Sequence, residues 1–114
     1  MKQTTKKILV IGHHGKMGQI AIKAIQNNSS LTYVGGCGSK DNLKSIIDKT
    51  RPDVAIDLTS HLSVYKNTST LIEHNIRPII GSSGLTNEQI NLIKQNCLKQ
   101  KLGGILAPNF SIGA

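Results

Sequence analysis

Residues Ile8-Leu9-Val10-Ile11 form an unbroken aliphatic run that ends in three glycines spaced three apart, Gly12, Gly15 and Gly18. Such a run without polar alternation reads as a strand buried on both faces, as in a parallel sheet. The glycines let the backbone turn tightly and approach a ligand closely. The helix behind them offers free amides and a positive dipole end to a phosphate. The segment is therefore a nucleotide-site motif. Its spacing is GxxGxxG rather than GxGxxG, with His14 where the middle glycine belongs, so the motif alone is only moderately specific.

The rest of the chain repeats the strand-to-helix rhythm. Strands are expected at Lys7–Ile11, Leu31–Gly36, Asp53–Leu58, Arg77–Gly81 and Gly104–Ala107. The first helix is expected over Lys16–Asn28, with Met17, Ile20, Ala21, Ala24 and Ile25 on one stripe. A second covers Asp41–Lys49, presenting Leu43, Ile46 and Ile47 and closed off by Pro52. A third covers Leu62–His74, with Val64, Leu71 and Ile72 inward. The fourth, Asn87–Lys101, opens on the capping box Thr86-x-x-Gln89 and carries Ile90, Ile93 and Cys97. The alternation predicts an α/β fold: a Rossmann-like open parallel sheet of about five strands in the order 2-1-3-4-5, with helices on both faces. Its switch point falls between the first and third strands.

Composition narrows the function. The 114 residues make one domain, small for a complete two-substrate enzyme. With only Tyr33, Tyr65 and Phe110 aromatic, the core must be aliphatic. No apolar run approaches the ~18 residues of a membrane span, and the strand after MKQTTKK is too short for a signal peptide's apolar region. A cytoplasmic protein without a membrane partner is expected. Cys37 and Cys97 have no CxxC spacing and read as reduced, structural thiols. The net charge of +8 is scattered, with only Lys6-Lys7 adjacent. This favours a solvated lysine surface over a nucleic-acid partner, and such a surface also attracts a phosphorylated cofactor.

Four strands run straight into unusual turns: GHHGKMG, DLTS at Asp57–Ser60, GSSG at Gly81–Gly84 and APNFS at Ala107–Ser111. In a parallel sheet all four lie along the carboxyl edge, so segments remote in sequence converge on one crevice. Gly12 and Gly15 are the leading ligand-binding candidates, and Gly18 reads as a helix-packing glycine. Gly81, Ser82 and Ser83 offer backbone groups and hydroxyls to a ligand in that crevice, the alternative being a turn that caps the fourth helix. Lys16 is read equally as a phosphate neutraliser and as a solvated helix-start lysine. His13-His14 is not read as a metal site, because adjacent side chains diverge and no Asp, Glu or Cys stands nearby to complete one. In NAD-specific sites a carboxylate about 20 residues past the glycines holds the ribose hydroxyls. Here that count reaches Gly38, followed by Ser39 and Lys40, and the nearest acid, Asp41, comes three positions late. A hydroxyl and an ammonium in place of the acid suit a 2′-phosphate, so NADPH is the preferred cofactor, with NADH the alternative.

The four turns together resemble the dinucleotide-binding domain of bacterial 4-hydroxy-tetrahydrodipicolinate reductase (dihydrodipicolinate reductase). Its signatures, GxxG[RK]MG, a DFT-type strand end, GTTG and A-x-NFS-[IV]-G, match Gly12–Gly18, Asp57–Thr59, Gly81–Gly84 and Ala107–Gly113. The resemblance covers nearly the whole chain. It implies that Gly12, His13, His14, Gly15, Lys16 and Met17 lie against ribose and pyrophosphate. It also implies that Ala107, Pro108, Asn109 and Phe110 meet the nicotinamide, with Phe110 packing on the ring or filling an interdomain face. The implied function is the NAD(P)H-binding half of an oxidoreductase of lysine and diaminopimelate biosynthesis.

Three features depart from the family pattern, the mildest being Ser82-Ser83 in place of the threonine pair, which keeps both hydroxyls. His13-His14 replaces small residues in the first turn, crowding the pyrophosphate approach. The chain also stops at Ala114, where the family continues into a domain that binds the cyclic dicarboxylate, forms a homotetramer and carries a His-His-x-x-x-Lys motif. That domain is absent here, by truncation or as a naturally shortened product, so no catalytic residue is expected in these 114 residues and the piece alone is expected to be inactive. The competing class is a free-standing Rossmann module that senses a nucleotide or binds coenzyme A without chemistry, against which APNFSIG argues.

Overall fold

The computed structural model describes residues 5–38, 40–81, 85–101 and 105–106, the side chains of His61, Leu62, Ile105 and Leu106 excepted. Strands β1 (Lys6–Ile11), β2 (Leu31–Cys37), β3 (Val54–Asp57), β4 (Arg77–Ile80) and β5 (Ile105–Leu106) alternate with helices α1 (Lys16–Gln26), α2 (Leu43–Thr50), α3 (His61–Glu73) and α4 (Asn87–Lys99). The five strands form one sheet, order β2-β1-β3-β4-β5, and every pair is parallel. This is the expected Rossmann-like order. The element boundaries lie within two residues of expectation, fraying where the chain caps itself, as at Asn27 after α1.

The direction reversal at β1 divides the helices between the faces. A right-handed crossover leading from β1 to β2 and one leading from β3 to β4 cover opposite sides. The core follows this division. On one face Ile8, Val10 and Val54 pack with Ile25 of α1. On the other, Leu9, Ile11 and Ala55 pack with Ile47 of α2 and Leu71 of α3. A third group joins Val64 and Ile72 of α3 to Ile80, Ile93 and Cys97. The run Ile8–Ile11 is buried throughout, as a strand covered on both faces requires. Cys37 and Cys97 are buried free thiols.

One element turns differently from the expectation. In α1 the buried residues are Gly18, Ala21 and Ile25, whereas Met17 and Ile20 are each 38% exposed and Ala24 is exposed. The stripe through Met17, Ile20 and Ala24 therefore does not face the core. Gly18 sets the rotation: a Cβ there would lie 2.4 Å from the Gly12 carbonyl oxygen and 2.7 Å from His13 Cα. Only a residue without a side chain lets α1 press against its own entry turn, and that contact fixes which face goes inward.

Candidate functional site

A cleft of about 400 Å3 opens at the carboxyl edge of the sheet, between the ends of β1, β2 and β3. This is the switch point of the strand order, where open α/β sheets bind their ligands. Among the described residues three segments line it. The first is the β1–α1 turn, with Gly12, His14 and Gly15. The second is the end of β2, with Cys37 and Gly38. The third is the β3–α3 turn and the first two turns of α3, with Thr59, Ser60, Ser63 and Asn67.

Two helices point their N-termini at this space without capping them. The N-cap of α1 is Gly15, which has no side chain to offer, and its first turn holds no acid. The N-cap of α3 is Ser60, whose side chain caps nothing, and its first turn also lacks an acid. Their free amides and dipole ends face one cleft from two sides, an environment made for an anion. Gly12 adopts φ +87, and a Cβ there would stand 3.3 Å from the Leu58 carbonyl, so the glycine turn sits directly on the β3–α3 turn.

The two histidines do not diverge as expected. Their ring centroids are 3.8 Å apart with a 38° tilt. The reason is β2, whose Gly36 and following Gly38 leave two bare patches beside the turn. The His13 ring occupies the space a Cβ on Gly36 would take, and His14 Cδ2 lies 3.1 Å from the Cβ position of Gly38. His14 thus faces the cleft, whereas His13 packs beneath it with Nδ1 buried and unpartnered. The absence of a nearby acid holds in sequence but not in space. Asp41 accepts a hydrogen bond from the Gly38 amide at 2.7 Å, and the same oxygen stands 3.4 Å from that Cβ position. Among the described residues no three His, Cys, Asp or Glu gather as a metal site would require.

Of the other candidates, Lys16 and Met17 are exposed at the start of α1, and Lys40 is exposed in the β2–α2 turn. Gly81 is half-buried at the end of β4, donating its amide to the Asp57 carbonyl at 3.0 Å. Ser39, Ser82, Ser83, Ala107, Pro108, Asn109 and Phe110 lie outside the described residues. The polar rail Ser60, Ser63 and Asn67 is not among the sequence candidates. Its signal was a helical spacing of small polar residues directly after DLTS, on the first two turns of a helix.

Beneath the rail lies Asp57, fully buried at the end of β3. Its Oδ1 accepts hydrogen bonds from the Thr59 amide at 2.9 Å and the Thr59 hydroxyl at 2.5 Å. Burial pushes its carboxyl above the usual carboxylate range, and the Thr59 hydrogen bonds oppose that shift. The Asn67 amide opposes it too, although Oδ2 has no partner at ordinary hydrogen-bond geometry.

The sequence matches the family model described as dihydrodipicolinate reductase, N-terminus, over residues 6–110. The chain belongs to the dihydrodipicolinate reductase family. Family relatives include the 4-hydroxy-tetrahydrodipicolinate reductase of Coxiella burnetii (strain Dugway 5J108-111), 44% identical over 94% of this chain and 45% of the relative. The Legionella pneumophila (strain Paris) enzyme of the same name is 41% identical over 95% of this chain and 44% of its own. Among solved structures, a dipicolinate-bound dihydrodipicolinate reductase from Paenisporosarcina sp. TG-14 superposes with a TM-score of 0.84 at 31% identity, covering 96% of this chain and 49% of that one. The chain thus spans just under half the length of these family members. Among the described residues, no helix is long and apolar enough to cross a membrane.

Proposed function

We propose that residues 1–114 are the dinucleotide-binding domain of a 4-hydroxy-tetrahydrodipicolinate reductase, holding NAD(P)H in the switch-point cleft. The observation that carries this reading is the pair of uncapped helix N-termini, α1 and α3, facing one cleft across a glycine turn. A pyrophosphate suits that cradle in charge, and the bare Gly12 and Gly18 let the turn sit tightly against the β3–α3 turn and against α1, where a Cβ would meet backbone. Gly12 and Gly15 then hold the phosphates through backbone amides, with Lys16 adding charge. His14 lies toward the ribose at the end of β2. Ser39, Lys40, Gly81, Ser82, Ser83 and the 107–110 segment complete the site, the last toward the nicotinamide. Bound, the nicotinamide supplies a hydride; the chain's task is to orient it and exclude water.

NADPH is the preferred cofactor in this reading and NADH the alternative. Asp41, the acid closest to the ribose corner, has its carboxylate turned onto the Gly38 amide, while Lys40 beside it is exposed. The groups that hold the cyclic dicarboxylate, donate the proton and form a homotetramer belong to a second domain outside these residues, and the protein works in the cytoplasm. The test is calorimetric titration of the 114-residue chain with NADPH and NADH, alongside Lys40→Ala. NADPH should bind tighter, and Lys40→Ala should cost NADPH about tenfold while leaving NADH unchanged. NADH binding tighter with Lys40→Ala harmless would overturn the preference. Reductase turnover by these residues alone would overturn the domain assignment.

A further inference from the structure

Asp57 occupies a place where a carboxylate is costly. Its register partners on either side, Ile11 of β1 and Ile80 of β4, are apolar. From β2 the titratable neighbour is Cys37, whose thiol is pushed up by burial and then by Asp41 and Asp57. From α3 comes the uncharged Asn67. Among the described residues no cation appears in that ring, and Oδ2 is buried with no partner at ordinary hydrogen-bond geometry. Half of the carboxylate's accepting capacity is thus unmet, a burden that a core position would shed by substitution with an apolar residue.

The satisfied half points to the role. Oδ1 gathers both the amide and the hydroxyl of Thr59, closing a clasp two residues long. The clasped segment is the wall on which the phosphate turn rests. Leu58 carbonyl atoms lie 3.3 Å, and Thr59 Cγ2 3.5 Å, from the Cβ position of Gly12. The peptide amide of Leu58 also donates to the Ile11 carbonyl, one residue before the turn, at 3.0 Å. Thr59 and Ser60 beyond the clasp line the cleft and lead into the open N-terminus of α3.

We infer that Asp57 is a positioning residue for the phosphate cradle: its clasp on Thr59 sets the wall behind Gly12, while its buried negative charge limits affinity for the anionic ligand. This rests on the dinucleotide reading above. The two parts separate by substitution. Asp57→Asn keeps an oxygen for Thr59 and removes the charge, whereas Asp57→Ala removes both. Thr59→Val keeps the shape and deletes the hydroxyl.

With the 114-residue chain and NADPH, Asp57→Asn should bind about threefold or more tightly near neutral pH. Asp57→Ala should bind about tenfold more weakly, and Thr59→Val several-fold more weakly. Binding should weaken as pH rises through the raised Asp57 pKa, because ionisation places a like charge behind the cradle. That component should vanish in Asp57→Asn. In the ligand-free chain, the Thr59 and Gly12 amide resonances should shift with one common midpoint above the ordinary Asp range, and neither shift should survive in Asp57→Asn. Weaker binding by Asp57→Asn, or amides that stay flat in the unmodified chain, would overturn the inference. If the unmodified chain takes up no dinucleotide, the dinucleotide reading fails and the amide titration decides the clasp by itself. If Asp57→Ala does not fold, Thr59→Val and Asp57→Asn carry the same decision.

Discussion

The four helices all begin at one edge of the sheet, yet they treat their first amides in two ways. α2 starts on Asn42, whose side chain accepts from the Ser45 amide at 3.0 Å. α4 starts on a reciprocal box: the Thr86 hydroxyl takes the Gln89 amide, and the Gln89 side chain returns to the Thr86 amide, at 3.1 and 3.0 Å. α1 and α3, which flank the switch point, start on Gly15 and Ser60 and close nothing with a side chain. A cap is worth about 1 kcal/mol, so leaving two open costs stability that a merely structural domain would keep. On the proposed reading, the difference separates helices that serve the fold from helices that also serve a ligand.

The comparison breaks most easily at Gly18. Helix propensity alone favours Ala over Gly there by about 1 kcal/mol. The new methyl, however, meets backbone at 2.4 and 2.7 Å, and backbone yields little. Overpacking should win: Gly18→Ala should destabilise by about 3 kcal/mol in urea denaturation and push α1 off its entry turn. A stabilised Gly18→Ala would mean that α1 does not need its close seat on the cradle.

Ser60→Asp sharpens the contrast from the other side. A carboxylate at this N-cap satisfies amides and suits the dipole, so unfolding should cost about 0.5–1 kcal/mol more. The same charge occupies the anion's place, so NADPH affinity measured by calorimetry should fall about tenfold. Stability and binding moving in opposite directions is the signature of a terminus left open for a ligand. Unchanged affinity would place α3 with α2 and α4.

The smallest effect is expected where the helix caps itself. Thr86→Ala should cost about 1 kcal/mol in thermal or chemical denaturation and leave NADPH affinity untouched. A loss of affinity there would extend the ligand-facing set to α4.

Much of this architecture was legible from the residues. Four consecutive aliphatics at Ile8–Ile11 permit little besides a central parallel strand, and Thr86-x-x-Gln89 marked the start of α4 because a cap is a local device. The switch point followed from handedness applied to the element order. What escaped was the part decided by contacts between distant segments. The α1 stripe rotated because Gly18 had to meet Gly12, a constraint that hydrophobic spacing cannot express. The histidines came together because two glycines on another strand left room for their rings. Asp41 came to the end of β2 because its side chain folded back onto Gly38, which counting along the chain does not register. The α3 rail was visible only as unremarkable serines and an asparagine until the sheet brought its helix beside the glycine turn.

The packing of His13 on Gly36 binds two positions of the chain into one steric unit. A Cβ on Gly36 would fall 2.2 Å from His13 Cγ and 2.7 Å from its Cβ. Neither position can drift alone: while residue 13 carries a side chain, even a methyl, residue 36 is confined to glycine, and only glycine at 13 would remove all three of these clashes. The identity of the first turn is therefore partly written in the second strand, and grafting this turn onto another member of the fold would require carrying Gly36 with it.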